Sequence, residues 1–115
     1  MPKVIWTLAL APWVAAAATP MDEVTRKDVH CLIAVGQLVK SDDPKLRDAG
    51  RLAGQYFLGR IDGRAPALDL EAAVAAEIAA ATAEQKALFT YCGELMRKRG
   101  QEVEAIGNRL TARGI

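Results

Sequence analysis

The stretch TRKDVHCLIAVGQLVK, residues 25–40, decides the fold that this sequence predicts. At 100° per residue its apolar and small side chains spread over more than half of a helical circumference: Val29, Cys31, Leu32, Ile33, Val35, Gly36, Leu38 and Val39. An apolar arc of this width is typical of a helix with neighbours on several sides. We therefore predict a central helix over residues 26–40, with Thr25 as its N-cap and Asp28 as the acidic capping partner.

The next helix begins at a strong start signal, because Asp43 is a good N-cap and Pro44 suits the first helical position. One face of this helix carries its apolar and small residues: Leu46, Gly50, Ala53, Gly54, Phe57 and Ile61. The small residues in the middle of that face allow another helix to approach closely. Gly63 follows the last apolar position, which predicts that the helix ends there.

Two further helices complete the expected fold. Asp69 predicts the start of a third helix, whose stripe is Leu70, Val74 and Ile78 and whose many alanines bury little area. Thr82 and Gln85 form a capping box that starts a fourth helix near Ala83. The stripe of that helix is Leu88, Tyr91, Cys92, Leu95, Val103, Ile106 and Leu110. Gly100 either breaks the fourth helix or kinks it, so we predict an all-α fold, a compact bundle of four or five helices.

Cys31 and Cys92 are the two cysteines of the chain, and each lies on the apolar arc of a predicted helix. In an exported protein a lone pair of cysteines predicts one disulfide, which here would join the first helix to the fourth. Closing a loop of about 60 residues stabilises a fold by roughly 4 kcal/mol in the chain-entropy treatment. Two buried free thiols are the alternative.

The chain begins MPKVIWTLALAPWVAAAATP, which has the pattern of a signal peptide. Lys3 precedes an apolar run over residues 4–18, and Ala16-x-Ala18 fits a signal-peptidase site. We expect residues 1–18 to be a cleaved leader and residues 19–115 to form a single helical domain that is periplasmic or secreted. The apolar run is shorter than the roughly 20 residues of a membrane-spanning helix, so we expect no stable membrane anchor. An uncleaved N-terminal anchor is the alternative.

Charge argues against a nucleic-acid partner. The 15 Lys and Arg side chains fall to 14 when Lys3 leaves with the leader, and they then balance the 14 Asp and Glu side chains. A nucleic-acid-binding protein needs a sustained positive face, and the longest basic run is the short RKR at residues 97–99.

No constellation of residues indicates catalysis, a metal or a cofactor. His30 is the one histidine, at the edge of the first helix's apolar arc, and we interpret it as a half-exposed packing residue. Cys31 is its neighbour in sequence, but adjacent residues on a helix point about 100° apart and do not face each other. Glu71 and Glu77 lie on a small helix without a cleft, unlike the paired carboxylates of glycosidases. We therefore expect a protein that is not an enzyme.

Two features indicate a surface for a protein partner. Gly59 lies on the polar face of the second helix, where it either lets a partner approach or reflects fraying. Arg99 lies on the apolar stripe of the fourth helix, so either the helix breaks, or Arg99 pairs with an acid, or the stripe faces a partner. The predicted contact residues are Tyr56, Gly59, Arg60, Asp62, Arg64 and Arg99.

A leader followed by Cys31 and Cys92 resembles the HdeA-type periplasmic acid chaperones. This resemblance implies an all-helical exported protein with one disulfide between an early and a late helix, acting on unfolded clients. The segment YFLGRIDG, residues 56–63, resembles the Tyr-x-x-Gly segment of Tai-type amidase-immunity proteins. That resemblance implies a protein that caps a periplasmic toxin enzyme. The general pattern is also similar to uncharacterised small exported proteins of alphaproteobacteria.

The resulting hypothesis is a non-enzymatic exported binding or stress protein that acts through helix surfaces. In an acid-chaperone version, the carboxylates become neutral at about pH 2 and the chain approaches a charge of about +15, so that self-repulsion exposes the apolar stripes. The alternative is an immunity protein that caps a toxin through residues 56–64. The sequence leaves the oligomeric state open.

Overall fold

The computed structural model describes residues 21–115, which contain four α-helices and no β-strand. The helices are α1 (Glu23–Gly36), α2 (Pro44–Arg64), α3 (Leu70–Ala83) and α4 (Gln85–Ala112), with a short 3-10 turn (Gln37–Lys40) between α1 and α2. The prediction of an all-α bundle is confirmed. The predicted leader, residues 1–18, lies outside the described residues.

Helix α1 lies at the centre of the bundle, as its wide apolar arc predicts. It contacts α2, α3 and α4, and five of its apolar side chains are buried: Val29, Cys31, Ile33, Ala34 and Val35. The other helices complete the core with Ala53, Phe57, Ile61, Ala81, Leu88 and Cys92. A 14-residue helix therefore organises the packing of the whole bundle.

The disulfide joins α1 to α4, and this prediction is also confirmed. Cys31 and Cys92 form the bond across a sequence separation of 61, with their Cα atoms 5.7 Å apart. Both cysteines are fully buried. Constraining a loop of that length contributes roughly 4 kcal/mol to stability, which is a large share of the ~5–15 kcal/mol typical of a whole domain.

Helix α2 approaches the end of α1 closely at Gly50, where the sequence predicts a small-residue contact. A Cβ atom placed on Gly50 would lie 2.8 Å from Cβ of Leu38, 3.0 Å from the backbone nitrogen of Val39 and 3.1 Å from the carbonyl oxygen of Val35. Two of these neighbours are backbone atoms, which cannot rotate away. The absence of a side chain at Gly50 therefore sets the distance between the two helices.

The start of α1 differs from the prediction. Asp22, rather than Thr25, is the N-cap, and its Oδ1 accepts a hydrogen bond from the Thr25 backbone nitrogen at 2.7 Å. Thr25 is buried inside the first turn, and Asp28 does not act as a capping partner. The α-helix also ends earlier than expected, at Gly36, because the last residues of the stretch form the tighter 3-10 turn.

Two predicted helix boundaries, at Gly63 and at Thr82, are wrong, and the alternative left open at Gly100 is decided. Helix α2 continues through Gly63 to Arg64, and Pro66 follows closely, which disfavours helical geometry at the residue before it. Thr82 belongs to α3, where its hydroxyl donates to the Ile78 carbonyl at 2.7 Å instead of capping α4. Gly100 does not break α4, which is continuous over 28 residues.

The predicted stripes of α3 and α4 are only partly correct. In α3 the fully buried residues are Ala73 and Ala81, whereas Ile78 is 46% exposed. In α4 the stripe is buried at Leu88 and Cys92 but faces solvent at other positions: Tyr91, Val103 and Ile106. Leu46 of α2 is also exposed. The reason in α4 is length, because this helix has twice as many residues as the α1 helix against which it packs.

We predict that Gly50→Ala destabilises the protein by about 1–3 kcal/mol, because the new methyl group collides with backbone atoms. Gly59→Ala is the matched control in the same helix, where a Cβ would meet nothing within 4 Å. Removing that glycine should stabilise the protein by up to about 1 kcal/mol. Urea unfolding of both variants measures the difference, and equal shifts in the same direction would contradict the close contact at Gly50.

Candidate functional site

A buried carboxylate lies at the seam between α1 and α2. Asp28 is 1% exposed, and its two oxygens accept from different arginines. Arg60 Nε donates to Oδ1 at 3.0 Å, and Arg64 Nη1 donates to Oδ2 at 2.6 Å. Because both arginines belong to α2, this one carboxylate clamps the last two turns of α2 onto α1.

The spacing of these residues in sequence explains the geometry. Asp28 lies near the middle of the apolar arc of α1, one turn before Leu32 and two turns before Val35, so it must enter the interface. Arg60 and Arg64 are four residues apart and therefore share a face of α2. Buried carboxylates are rare unless paired, and the two guanidinium groups supply this pairing.

Tyr56 extends the cluster towards the surface. Its ring makes an edge-to-face contact with Phe57 at 5.0 Å between centroids, and the Arg60 guanidinium lies 5.8 Å from the Tyr56 ring. Arg60 also donates to the Tyr56 hydroxyl at 3.4 Å. Burial works to lower the pKa of Arg60, but the hydrogen bonds to Tyr56 and Asp28 outweigh it and the pKa is raised.

Arg99 of α4 pairs with an acid, which is one of the three alternatives that the sequence leaves open. Its guanidinium donates to Glu102 at 2.6 Å, within the same unbroken helix. The hydrogen bond to Glu102 is the main cause of the raised pKa of Arg99, and the nearby Tyr56 hydroxyl adds to it. The contact that the structure gives Arg99 is thus local to α4.

The predicted contact surface is divided by this arrangement. Arg60 and Arg64 pair with Asp28, and Tyr56 joins them through Arg60, whereas Gly59 and Asp62 are exposed without a part in the cluster; Arg64 also stays partly at the surface. The side chain of Arg60 is only 19% exposed and that of Arg64 only 35% exposed. Most of the basic surface expected for a partner is therefore committed to the bundle itself.

A second carboxylate links α1 to α3. Glu77 accepts from Arg26 Nε at 3.0 Å through one oxygen, and its other oxygen lies 2.8 Å from His30 Nε2. The hydrogen bond to His30 is the largest cause of the lowered pKa of Glu77, followed among the lowering contributions by the hydrogen bond to Arg26. His30 is 12% exposed at its side chain, so the prediction of a half-exposed packing residue is wrong.

A pocket lies beside this second carboxylate, between the start of α1, the loop after α2 and α3. Its volume is about 710 Å³, and its walls are largely apolar, with Met21, Pro66, Leu68 and several alanines of α3 among them. The hydroxyl of Thr25 is buried in its wall without a hydrogen-bond partner in the described chain. The pocket therefore offers a mainly apolar surface that α3 partly covers.

Sequence reasoning missed both carboxylates as parts of the site. The signal for Asp28 was present, since an acid at the centre of an apolar arc needs a basic partner. Glu77 gave a weaker signal, because only the packed structure shows that its face of α3 lies opposite Arg26 and His30.

We predict that Asp28→Asn destabilises the protein by about 2–4 kcal/mol, because two partly buried arginines lose their counter-charge. Glu23→Gln is the control, since the Glu23 side chain is exposed and its contact with Arg26 is a local one at 3.4 Å. That variant should change stability by less than about 0.5 kcal/mol. Chemical unfolding at neutral pH makes the comparison, and similar losses in both variants would contradict the role given to Asp28.

Two searches for specific site types find nothing in the described chain. Residues 21–115 hold no group of three or more side chains placed to bind a metal ion. None of the helices in that range combines the length and the apolar character that crossing a bilayer requires.

Comparisons with protein-family models, with curated proteins and with solved structures find no match to this chain.

Proposed function

We propose that the protein is a non-enzymatic exported binding protein, located in the periplasm, whose bundle loosens in acid and then holds partly unfolded proteins. This proposal combines the predicted leader with the resemblance to HdeA-type acid chaperones. The disulfide is compatible with an oxidising compartment. The placement of the ion pairs between helices supports the proposed loosening in acid.

Every ion pair that joins different helices within residues 21–115 uses Asp28 or Glu77. The remaining pairs in that range are local contacts between residues three apart: Glu23–Arg26, Asp48–Arg51, Glu94–Arg97 and Arg99–Glu102. Local exposed pairs contribute little to tertiary stability. Two carboxylates, Asp28 on α1 and Glu77 facing α1 from α3, therefore carry the charge pairing that holds helices together.

Acid reverses the effect of these contacts. When Glu77 takes up a proton, Arg26 loses its counter-charge and His30 loses its charged partner on the face of α1 towards α3. Lys27 of the same helix lies 4.7 Å from the Tyr91 ring of α4 and stays cationic.

Helix α3 is the element that these changes would release. It is rich in alanine, and its buried residues are Ala73 and Ala81, which contribute little apolar area. Its larger side chains Leu70 and Val74 pack against the core but are only partly buried. Its separation from α1 would widen the apolar pocket lined by Met21 and Leu68. The disulfide would still hold α1 to α4, so loosening would expose a binding surface without complete unfolding.

The toxin-capping alternative depends on a free surface over residues 56–64. Gly59 and Asp62 are exposed there and favour it, but Arg60 and Arg64 are occupied by Asp28. We therefore place the acid-responsive binding protein first. Recovery of a stoichiometric toxin enzyme with the protein from the periplasm at neutral pH would reverse this order.

We predict that Glu77→Gln lowers stability above about pH 5 but not in strong acid. The folded state lowers the pKa of Glu77 below its ordinary value of 4.5, chiefly through His30. The stabilisation is therefore complete above the ordinary value and is lost as pH falls through the lowered one. The free energy of unfolding of both proteins, measured in urea across this range, should converge at low pH.

Glu71→Gln is the control for this experiment, because Glu71 lies exposed in the first turn of the same helix. Its difference from the unmodified protein should stay small at every pH. A Glu77→Gln difference that is constant from neutral to acid pH would contradict the acid response at α3.

We predict that the protein suppresses aggregation of an acid-denatured client at about pH 2 and does not do so at neutral pH. Light scattering of the client with increasing protein measures this, and circular dichroism follows the bundle in parallel. Failure to suppress aggregation at any ratio would overturn the chaperone function, even if the bundle loosens as expected.

A further inference from the structure

The second half of α4 extends beyond the rest of the bundle. The core cluster among residues 21–115 ends at Met96, and the helix continues from Arg99 to Ala112 for roughly 21 Å. Val103 is 70% exposed and Ile106 is 48% exposed on this segment. We call the segment, residues 99–112, the projecting half of α4.

The apolar residues of the projecting half, of which Val103 and Ile106 are exposed and Leu110 is half-buried, follow a seven-residue repeat. Val103 and Leu110 are seven apart and occupy position a of a heptad, and Met96 precedes them in the same register. Ile106 occupies position d, with Arg99 one heptad earlier. Apolar a and d positions form the seam along which two helices associate, so the repeat describes a face suited to another helix.

The two sides of this seam differ. Position e holds Gly100 and Gly107, where a Cβ would meet nothing within 4 Å. Each mid-helix glycine costs about 1 kcal/mol relative to alanine, and the bundle gains no packing in return. Position g holds opposite charges one heptad apart, Glu102 and Arg109. A second helix could thus approach closely on one side and form ion pairs on the other.

Charge determines the direction of the second helix. In an antiparallel pair, position g faces position g of the other helix. Glu102 of each copy then lies opposite Arg109 of the other copy, which gives two ion pairs. In a parallel pair, position g faces position e, so both charges would face glycines and find no partner. The antiparallel pair also sets opposite helix dipoles side by side.

We propose that the projecting half of α4 binds the same segment of a second copy of this chain, antiparallel and about a two-fold axis. Val103 packs against Ile106 of the second copy, and the reverse contact follows from the symmetry. Arg99 keeps its bond to Glu102 and lays its aliphatic stem over Leu110 of the second copy. Other cations, such as Arg113, fall at the solvent-exposed ends of the overlap, where salt screens them.

This inference does not depend on the acid response, and neutral-pH sedimentation equilibrium of the purified protein tests it. From low micromolar to several hundred micromolar, the mass should rise from one chain to two. Ile106→Asp should weaken association at least about tenfold, because it places a charge in the seam. Leu52→Asp is the control, since Leu52 is an apolar side chain on α2 that is even more exposed than Ile106, at 66% against 48%, and it should leave association unchanged.

A charge exchange tests the antiparallel register. Glu102→Arg and Arg109→Glu should each weaken association, because each leaves like charges opposite each other. The double variant should restore it. Residues seven apart in one helix are about 10 Å apart along its axis, so recovery must come from contacts between copies. Circular dichroism confirms that each variant keeps its helices.

Three results would overturn the proposal. The protein could stay a single chain at every concentration, Ile106→Asp could associate as well as the unmodified protein, or the double exchange could fail to restore association. Sedimentation with anionic phospholipid vesicles tests the competing occupant, because three cations, Arg97, Lys98 and Arg113, flank the projecting half, whose own charges balance. A protein that is a single chain in solution and binds these vesicles through Ile106 would assign the surface to a membrane.

Discussion

The packing of this bundle depends on how α1 accommodates a carboxylate in the middle of its apolar arc. Asp28 is buried among side chains that exclude water, so it needs charge partners from another helix. Arg60 and Arg64 meet that need only if α2 extends past Gly63 and lies along α1 in one register. The ionic contact therefore specifies the alignment of two helices whose apolar contacts alone, through Gly50, Ala53 and Phe57, would tolerate small shifts.

The sequence predicted the features that depend on local signals. Two helix starts were predicted from N-cap residues, Asp43 and Asp69. In the structure the side chain of each accepts a hydrogen bond from a backbone nitrogen in the first turn of its helix. The disulfide followed from two cysteines on apolar arcs. Features that depend on tertiary contacts were missed. The sequence predicts that α2 ends at Gly63, but the helix continues to Arg64, whose side chain donates to Asp28 of α1. In the same way, His30 became an ion-pair partner only when α3 placed Glu77 against it.

Different contacts hold the three helices around α1, so we expect the free energy of detaching each helix to differ. Phe57 and Ile61 of α2 are fully buried, and α4 is joined to α1 by the disulfide. Helix α3 has neither, because its buried residues are alanines and its polar link is the Glu77 cluster. Segments with little buried apolar area open at the lowest free energy. We therefore expect α3 to open before α2, while the disulfide retains α4.

Stability alone does not explain why the clamps are ionic. Replacing a buried ion pair by well-packed apolar side chains of similar volume is often neutral or stabilising by about 1–4 kcal/mol. An apolar substitute for Glu77 and its partners would hold α3 equally well at neutral pH, yet it would be insensitive to acid. The Glu77 carboxylate, whose pKa the hydrogen bonds to His30 and Arg26 lower, instead makes the link between α1 and α3 weaken as pH falls through that lowered pKa. Under the proposed function, such a link keeps the binding surface closed at neutral pH and releases it in acid.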